Sequence, residues 1–341
     1  MWAFVVFFIV NALFRAFVLC DPIFPLWPPR SALKARLAAL FFASNHGMAL
    51  RPRVYMITRY SMQLFLQVLY SALFTMDDIL FAGYRACELS NAVFIVGGFR
   101  TGSTTLHRVL ALDEERYVSP RFLELAVPFL TVHYCLDFVE WFDSKVGTGM
   151  TAALERKLQA AAGPDVMARH PMALTVAEEC DVLLATCHWC GYYAITMAPT
   201  SAATWEAFGG IEHFSQHEKD HIVSLYTRAM QKVLYRRGKG RSLLSKSHLI
   251  DCMPLWRKAF KGAKFVGIVR HPRDFVTSWV ALAQPAAEML TGHRMPLHAA
   301  VPAHLAFWDT YLAKERVFFL KEEGGAAADP ARVYLRFKPF I

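Results

Sequence analysis

The sequence predicts an α/β fold, a central parallel sheet flanked by helices, with hydrophobic helices at the N-terminal end. Four short runs, 92–96, 241–247, 264–270 and 333–337, are apolar and β-rich, as strands buried on both faces are. Helical material separates them, and strands that alternate with helices pair in parallel through right-handed crossovers. A third observation places a ligand. The first run breaks at Gly97 and Gly98 and gives way to 104–112, where Leu106, Val109 and Leu110 recur at helical spacing. Strand, glycine turn and helix start present free N–H groups and the positive end of a helix dipole. That is an anion site suited to phosphate.

The 341 residues allow one large domain or two small ones, with ample apolar material for a core. Hydrophobic residues make up 55%, high for a soluble enzyme, and much of the excess precedes the first strand. A net charge of +9 suits an anionic cofactor, anionic lipid or nucleic acid. No basic run is interleaved with aromatics, so nucleic acid ranks last. Seven scattered cysteines lack the pattern of a disulfide framework. Cys187 and Cys190 form one C-x-x-C without a second, and read as half-buried helix residues.

Taken in order, residues 1–20 (MWAFVVFFIVNALFRAFVLC) are apolar enough and just long enough to span a bilayer, although Asn11 and Arg15 interrupt them. With no basic n-region and no small-residue cleavage site, they are a poor signal peptide. The expectation is a membrane anchor, as a transmembrane helix or one lying on the surface. Residues 21–90 form a helical, membrane-proximal region: a connector with Pro22, Pro25, Pro28 and Pro29, then helices at 31–44 and 55–75. Arg30, Lys34, Arg36, Arg51 and Arg53 would hold this side cytosolic.

Residues 91–341 form the main domain. Beyond the loop helix, helices are expected at 151–162, 176–193, 222–235, 274–287 and 303–323. The stretch 291–302, with several Pro and His, is expected as a mobile loop over the site. His217 to His221 reads HEKDH, a formal H-E-x-x-H that on a helix would suit a zinc hydrolase. Lys219 and Asp220 are charged where such a helix is buried, and no third ligand follows at family spacing. A solvated helix face is the better reading.

The loop itself carries the most chemistry. Gly97 and Gly102 have the spacing of G-x-x-x-x-G-K-[ST], with Thr104 in the hydroxyl position. Ser103 stands where that loop wants lysine, and Arg100, inside the loop, is the nearby cation. Loss of the lysine argues for a phosphate ester other than a nucleoside triphosphate. A strand–helix turn without a ligand is the plain alternative.

Residues 94–113, FIVGGFRTGSTTLHRVLALD, resemble the 5′-phosphosulfate loop of sulfotransferases that use 3′-phosphoadenosine 5′-phosphosulfate, in the membrane-associated branch reading R-[TS]-G-[ST]-T-x-L-H. Residues 245–279 resemble the rest of that family's cofactor site, and the likeness runs from about Met76 to the C-terminus. It implies the P-loop-like sulfotransferase fold and a small-molecule nucleotide donor. The sulfuryl group would pass to a hydroxyl or amine of a carbohydrate, lipid or peptide acceptor. The residues found require no metal.

By this resemblance Arg100 contacts the phosphosulfate, and Thr101, Gly102, Ser103, Thr104 and Thr105 cradle it. Arg270 and Ser278, spaced R-x-x-x-x-x-x-x-S, take the 3′-phosphate. Lys246-Ser247-His248-Leu249 resembles K-T-H-L, making His248 the general base and placing Lys246 near the leaving oxygen. The competitor is Glu124, in SPRFLELAVP (119–128), which resembles P-x-x-W-E-L-x-x-P with Leu123 in place of tryptophan. Residues 170–180 resemble H-P-x-x-L-x-x-x-E-E-C, whose Glu178 and Glu179 would line the acceptor pocket.

The expected location is a membrane. A lumenal domain, as in Golgi or other endomembrane enzymes of the family, conflicts with the cytosolic reading of the basic residues. The chain has no R-K-G-x-x-G segment after its fourth strand, so the domain is expected to be C-terminally truncated or to use another loop. That absence also supports a different class, a membrane-bound nucleotide-binding pseudoenzyme without turnover.

Overall fold

A computed structural model of the chain describes residues 2–19, 21–41, 50–186, 211–291, 296–320 and 332–336. Its sheet has five parallel strands: β1 (Val93–Val96), β2 (Tyr117–Val118), β3 (Ser242–Ser247), β4 (Lys264–Val269) and β5 (Arg332–Arg336), in the order β2-β3-β1-β4-β5. β1 is central because its four residues, VFIV, are all buried and have apolar layers on both faces. Phe94 stacks on Phe265 at 5.3 Å and on Trp256 at 5.4 Å, on one face. Ile95 and Val93 pack on the other with Leu244, against Leu106 and Leu110. The register sets Ile95 beside Lys246 on one side and Val96 beside Gly267 on the other. The four expected strands are therefore present, and β2 is added. Two residues are too few to show a period in the sequence.

The helices are α1 (Trp2–Leu13), α2 (Arg30–Phe41), α3 (Leu50–Leu80), α4 (Ser103–Leu110), α5 (Phe122–Ala126), α6 (Leu130–Val146), α7 (Met150–Ala162), α8 (Pro164–Arg169), α9 (Asp181–Thr186), α10 (Gln216–Val233), α11 (Met253–Ala259), α12 (Pro272–Thr291) and α13 (Leu297–Leu320). Four differ from expectation. α9 starts at Asp181 rather than 176, because Glu178 N and Cys180 N bond to Pro120 O and Lys246 O instead, and α10 starts at Gln216 rather than 222, behind the Ser215 cap. α3 runs for 31 residues rather than 21, since nothing between Leu50 and Leu80 breaks a helix after its first turn. α13 begins at Leu297, so most of the expected loop at 291–302 is helical, with Pro302 inside its second turn. Cys187 and Cys190 lie outside the described residues.

No helix among the described residues is long and apolar enough to cross a membrane, which corrects the expected transmembrane helix. α1 is 12 residues long, and Asn11 and Arg15 near its end are buried and bonded within the protein. Asn11 Nδ2 donates to Ser71 Oγ at 2.9 Å, and Arg15 Nη1 donates to Asp78 Oδ2 at 3.3 Å. Arg15 also donates to Pro22 O at 2.9 Å. These bonds hold α1 along α3, and its last turn, Phe14–Val18, is wound as a π-helix.

Candidate active site

The loop between β1 and α4 forms as it does for steric reasons. A Cβ at Gly97 would lie 2.7 Å from Ile268 O, and one at Gly98 would lie 2.7 Å from the Trp308 ring. Only bare backbone fits there. Arg100 (φ 66°) and Gly102 (φ 100°) then turn the chain in the left-handed region, and Thr101 Oγ1 ties the turn by donating to Gly98 O at 2.8 Å. For an arginine this backbone costs about 1 kcal/mol or more, a strain that clusters at ligand sites. The turn leaves the first N–H groups of α4 facing outward from the sheet edge.

Three separated segments meet this loop. Lys246 ends β3, is buried, and donates to Thr104 Oγ1 at 2.9 Å. Ser278, two turns into α12, accepts from Arg100 Nε at 2.9 Å. Arg270, after β4, reaches Arg100 O with Nη1 at 3.3 Å. Burial, then the nearby Arg270 and Arg169, depress the Arg100 pKa, because cations crowd here. Arg100, Thr101, Gly102, Ser103, Thr104, Lys246, Arg270 and Ser278 thus share one place at the carboxyl edge of the sheet. Thr105, on the same turn of α4, is exposed.

His248 lies beside them, buried, its ring 4.1 Å from that of Phe99. Nδ1 lies 2.6 Å from Gly97 O. A carbonyl only accepts, so Nδ1 carries a proton. Nε2 lies 2.9 Å from Glu179 Oε2. That same carboxylate oxygen accepts from Lys246 Nζ. Burial alone would raise the Glu179 pKa, but Lys246 and His248 outweigh it and hold the carboxyl well below its usual range. Asp181 completes the cluster, accepting from Ser247 Oγ at 2.7 Å and from His248 N at 2.9 Å. Burial pushes its pKa up to about 6, with His248 partly offsetting. Glu179, Asp181 and His248 offer atoms within 4.8 Å of one another, of the types that ligate metals. In this structure Lys246 neutralises Glu179, and Ser247 and a backbone N–H satisfy Asp181.

Glu124 is placed elsewhere. Its carboxylate accepts from Arg237 Nε at 2.8 Å, Arg237 Nη2 at 2.6 Å, Arg236 Nη1 at 3.0 Å and Arg121 N at 2.9 Å. Burial raises its pKa, yet the Arg237 contacts and the Arg121 N–H bring it below the usual value. Glu218 of HEKDH caps α10, accepting from Ser215 N and Ser31 N at 2.8 Å each, while His217 is exposed. The sequence reading assigned no role to Asp181 and left Glu179 on the acceptor side. The available signal was three acids within four residues, Glu178, Glu179 and Asp181, followed by apolar Val182, Leu183 and Leu184. Carboxylates in such company are buried and need cationic or N–H partners.

A parallel sheet whose first loop is a glycine anion cradle flanked by cations defines an α/β protein of the phosphate-loop type. Residues 92–321 match the sulfotransferase family, and the chain belongs to it. Over 286 residues it is 28% identical to the omega-hydroxy-beta-dihydromenaquinone-9 sulfotransferase Stf3 of Mycobacterium bovis, a match covering 81% of this chain and 66% of that protein. The same protein of Mycobacterium tuberculosis (strain CDC 1551 / Oshkosh) matches equally. The chain therefore spans just under two thirds of the length of these curated relatives. The crystal structure of sulfotransferase STF1 from Mycobacterium tuberculosis H37Rv aligns with a TM-score of 0.62 at 17% identity, over 90% of this chain and 77% of that one. The likeness shows a shared fold.

Proposed function

We propose that the chain transfers a sulfuryl group from 3′-phosphoadenosine 5′-phosphosulfate to a hydroxyl of a lipid-type acceptor, working at a membrane surface. The observation that carries this reading is the convergence of Arg100, Lys246, Arg270 and Ser278 on one glycine cradle. The cradle suits a phosphosulfate, since Arg100, Lys246 and the Thr104 hydroxyl meet at the start of a helix. When bound, the nucleotide supplies the activated sulfuryl group and a phosphate leaving group. Arg100, with the N–H groups and hydroxyls of Ser103, Thr104 and Thr105, would hold its 5′ end. Arg270 and Ser278 would hold its 3′-phosphate. The acceptor named for the Stf3 relatives, a hydroxylated menaquinone, favours lipid over carbohydrate or peptide here.

Sulfuryl transfer asks for positioning and for cations around an expanding anion, as phosphoryl transfer does. Arg100 and Lys246 supply the cations. The acceptor hydroxyl loses its proton to the His248–Glu179 pair. Lys246 is bonded to both Glu179 and Thr104 of the cradle, so an anion in the cradle draws it away from Glu179. A buried carboxylate that loses a cation becomes more basic, so Glu179 takes a proton more readily when the donor is in place.

The bonding of Lys246 and His248 to Glu179 also suits a binding protein without turnover. Incubation with sulfur-labelled donor and a panel of lipid and glycan extracts separates the two. Label is expected in the lipid fraction. No transfer to any extract, with adenosine 3′,5′-bisphosphate still bound, refutes the enzyme reading.

A further inference from the structure

α1 has its polarity inside out, and the stripe of α3 that it meets is polar too, although α3 also turns Tyr60 and Phe74 into the core. On α1 the side chains turned inward are polar, Asn11 and Arg15. They meet Ser71, Thr75 and Asp78 of α3, each also buried. The side chains turned outward are apolar: Phe7, Val10 and Phe17 on the first helix and its final turn, and Met62, Phe65 and Leu69 on the second. Each of the six is more than half exposed, Phe17 to 78% and Phe65 to 69%. A helix packed on a water-soluble protein turns its apolar stripe inward. Here the polar seam is internal and the apolar residues face out, the arrangement that a hydrocarbon environment favours because polar groups there must find partners within the protein.

We propose that this α1–α3 pair is a lipid-docking face, seated in one leaflet of a bilayer without crossing it. Two features select a lipid surface over a protein partner. The inverted pairing reaches down to a buried arginine, which a protein partner's surface does not require. The flank is cationic as well: Arg30 and Lys34 are exposed on α2, which packs against α3, in a chain of net charge +9. Apolar insertion beside exposed cations suits anionic headgroups. Met1, the side chains of residues 2–5, and residues 42–49 lie outside the description and carry none of this. The face deepens the reading of a lipid-type acceptor, and its consequence for catalysis rests on that reading. Docking would deliver a membrane-dissolved hydroxyl without its leaving the lipid phase.

The test is sedimentation of the full chain with vesicles of phosphatidylcholine mixed with phosphatidylglycerol, read without turnover or nucleotide, so it stands or falls apart from the sulfotransferase reading. The expected result is partition into vesicles that the triple variant Phe7→Ser, Phe17→Ser, Phe65→Ser weakens by about tenfold or more. Those side chains are exposed, and an unchanged far-UV circular dichroism spectrum and urea midpoint verify that the variant folds. Arg30→Glu with Lys34→Glu is expected to weaken binding to anionic vesicles and to leave binding to pure phosphatidylcholine unchanged. Wild-type partition that the triple variant matches overturns the proposal. So does a wild-type chain that ignores vesicles but self-associates through this face, with the triple variant monomeric, since a second copy is then the occupant.

Discussion

Replacing Glu179 by glutamine removes the one charge that Lys246 and His248 share while keeping the side chain's shape. Deleting one partner of a buried ion pair costs about 3–5 kcal/mol, because the other charge is left in low dielectric. Glutamine keeps a carbonyl that can accept from Lys246, so the lower end, about 3 kcal/mol, is expected. The loss depends on pH. The Glu179 pKa is held well below its ordinary 4.5 in the folded chain. Its stabilisation is therefore complete above pH 4.5 and is lost as pH falls through the folded value. Urea titrations should show the wild-type advantage over Glu179→Gln at pH 7 shrinking as acidity increases below that point. On activity, losing a proton acceptor costs about a hundredfold in kcat. Donor KM should barely move, since Arg100, Arg270 and Ser278 are untouched. Folded sites are counted with labelled adenosine 3′,5′-bisphosphate, so lost protein is not mistaken for lost turnover. A Glu179→Gln enzyme with kcat per folded site and a pH–rate profile like the wild type's would show that the carboxylate only holds the fold.

Arg100→Ala should lower kcat/KM by about a hundredfold or more, some 3 kcal/mol, because a charge-assisted contact to the developing anion is lost; unchanged turnover refutes the role. Arg270→Ala should weaken binding of donor that carries a 3′-phosphate and spare donor that lacks one, as competition binding would read; equal weakening of both refutes the assignment. Glu124→Gln leaves Arg236 and Arg237 without their shared carboxylate, and should cost about 3 kcal/mol of stability in denaturant titrations with kcat per folded site intact. If instead His248→Ala keeps near-normal turnover and Glu124→Ala does not, the glutamate is the base. Asp181, raised from 3.8 to about 6, is worth most to stability below pH 3.8. That contribution of about 3 kcal/mol disappears as pH rises through 6, a decline that Asp181→Asn should remove.

What the sequence shows and what it hides divide along a physical line. The strands were legible because burial on both faces leaves runs such as VFIV and KFVGIV, and the cradle because glycines interrupt the chain where backbone must approach Ile268 and Trp308. These signals are local. The pairing of buried charges is not. Glu179 and Lys246 are 67 residues apart, and Arg15 and Asp78 are 63 apart, so spacing alone could not join them. The apolar N-terminal segment reads as an anchor, spanning or lying on the surface, because hydropathy counts residues and ignores direction. Only the packing shows that Asn11 and Arg15 turn inward and Phe7 and Phe17 outward.

The strand order explains why one site forms from pieces so far apart. β1 lies between β3 and β4, so whatever follows it at the carboxyl edge is flanked by whatever follows its two neighbours. The loop after β1 is the cradle. β3 ends in Lys246 and Ser247 and is followed by His248, its ring bonded back to Gly97 O; after β4 comes Arg270, bonded to Arg100 O. Parallel pairing makes all three strands end on one side. An antiparallel neighbour would have carried its cation to the opposite edge. The register refines this further: Val96 sits opposite Ser247 and Gly267, so Gly97 emerges level with His248 and about two residues short of Arg270. One side of the cradle thus receives an ammonium and an imidazole, and the other a guanidinium. An anion bridging the two would meet an imidazole and an ammonium at one end and a guanidinium at the other, an arrangement that suits the sulfuryl transfer proposed above.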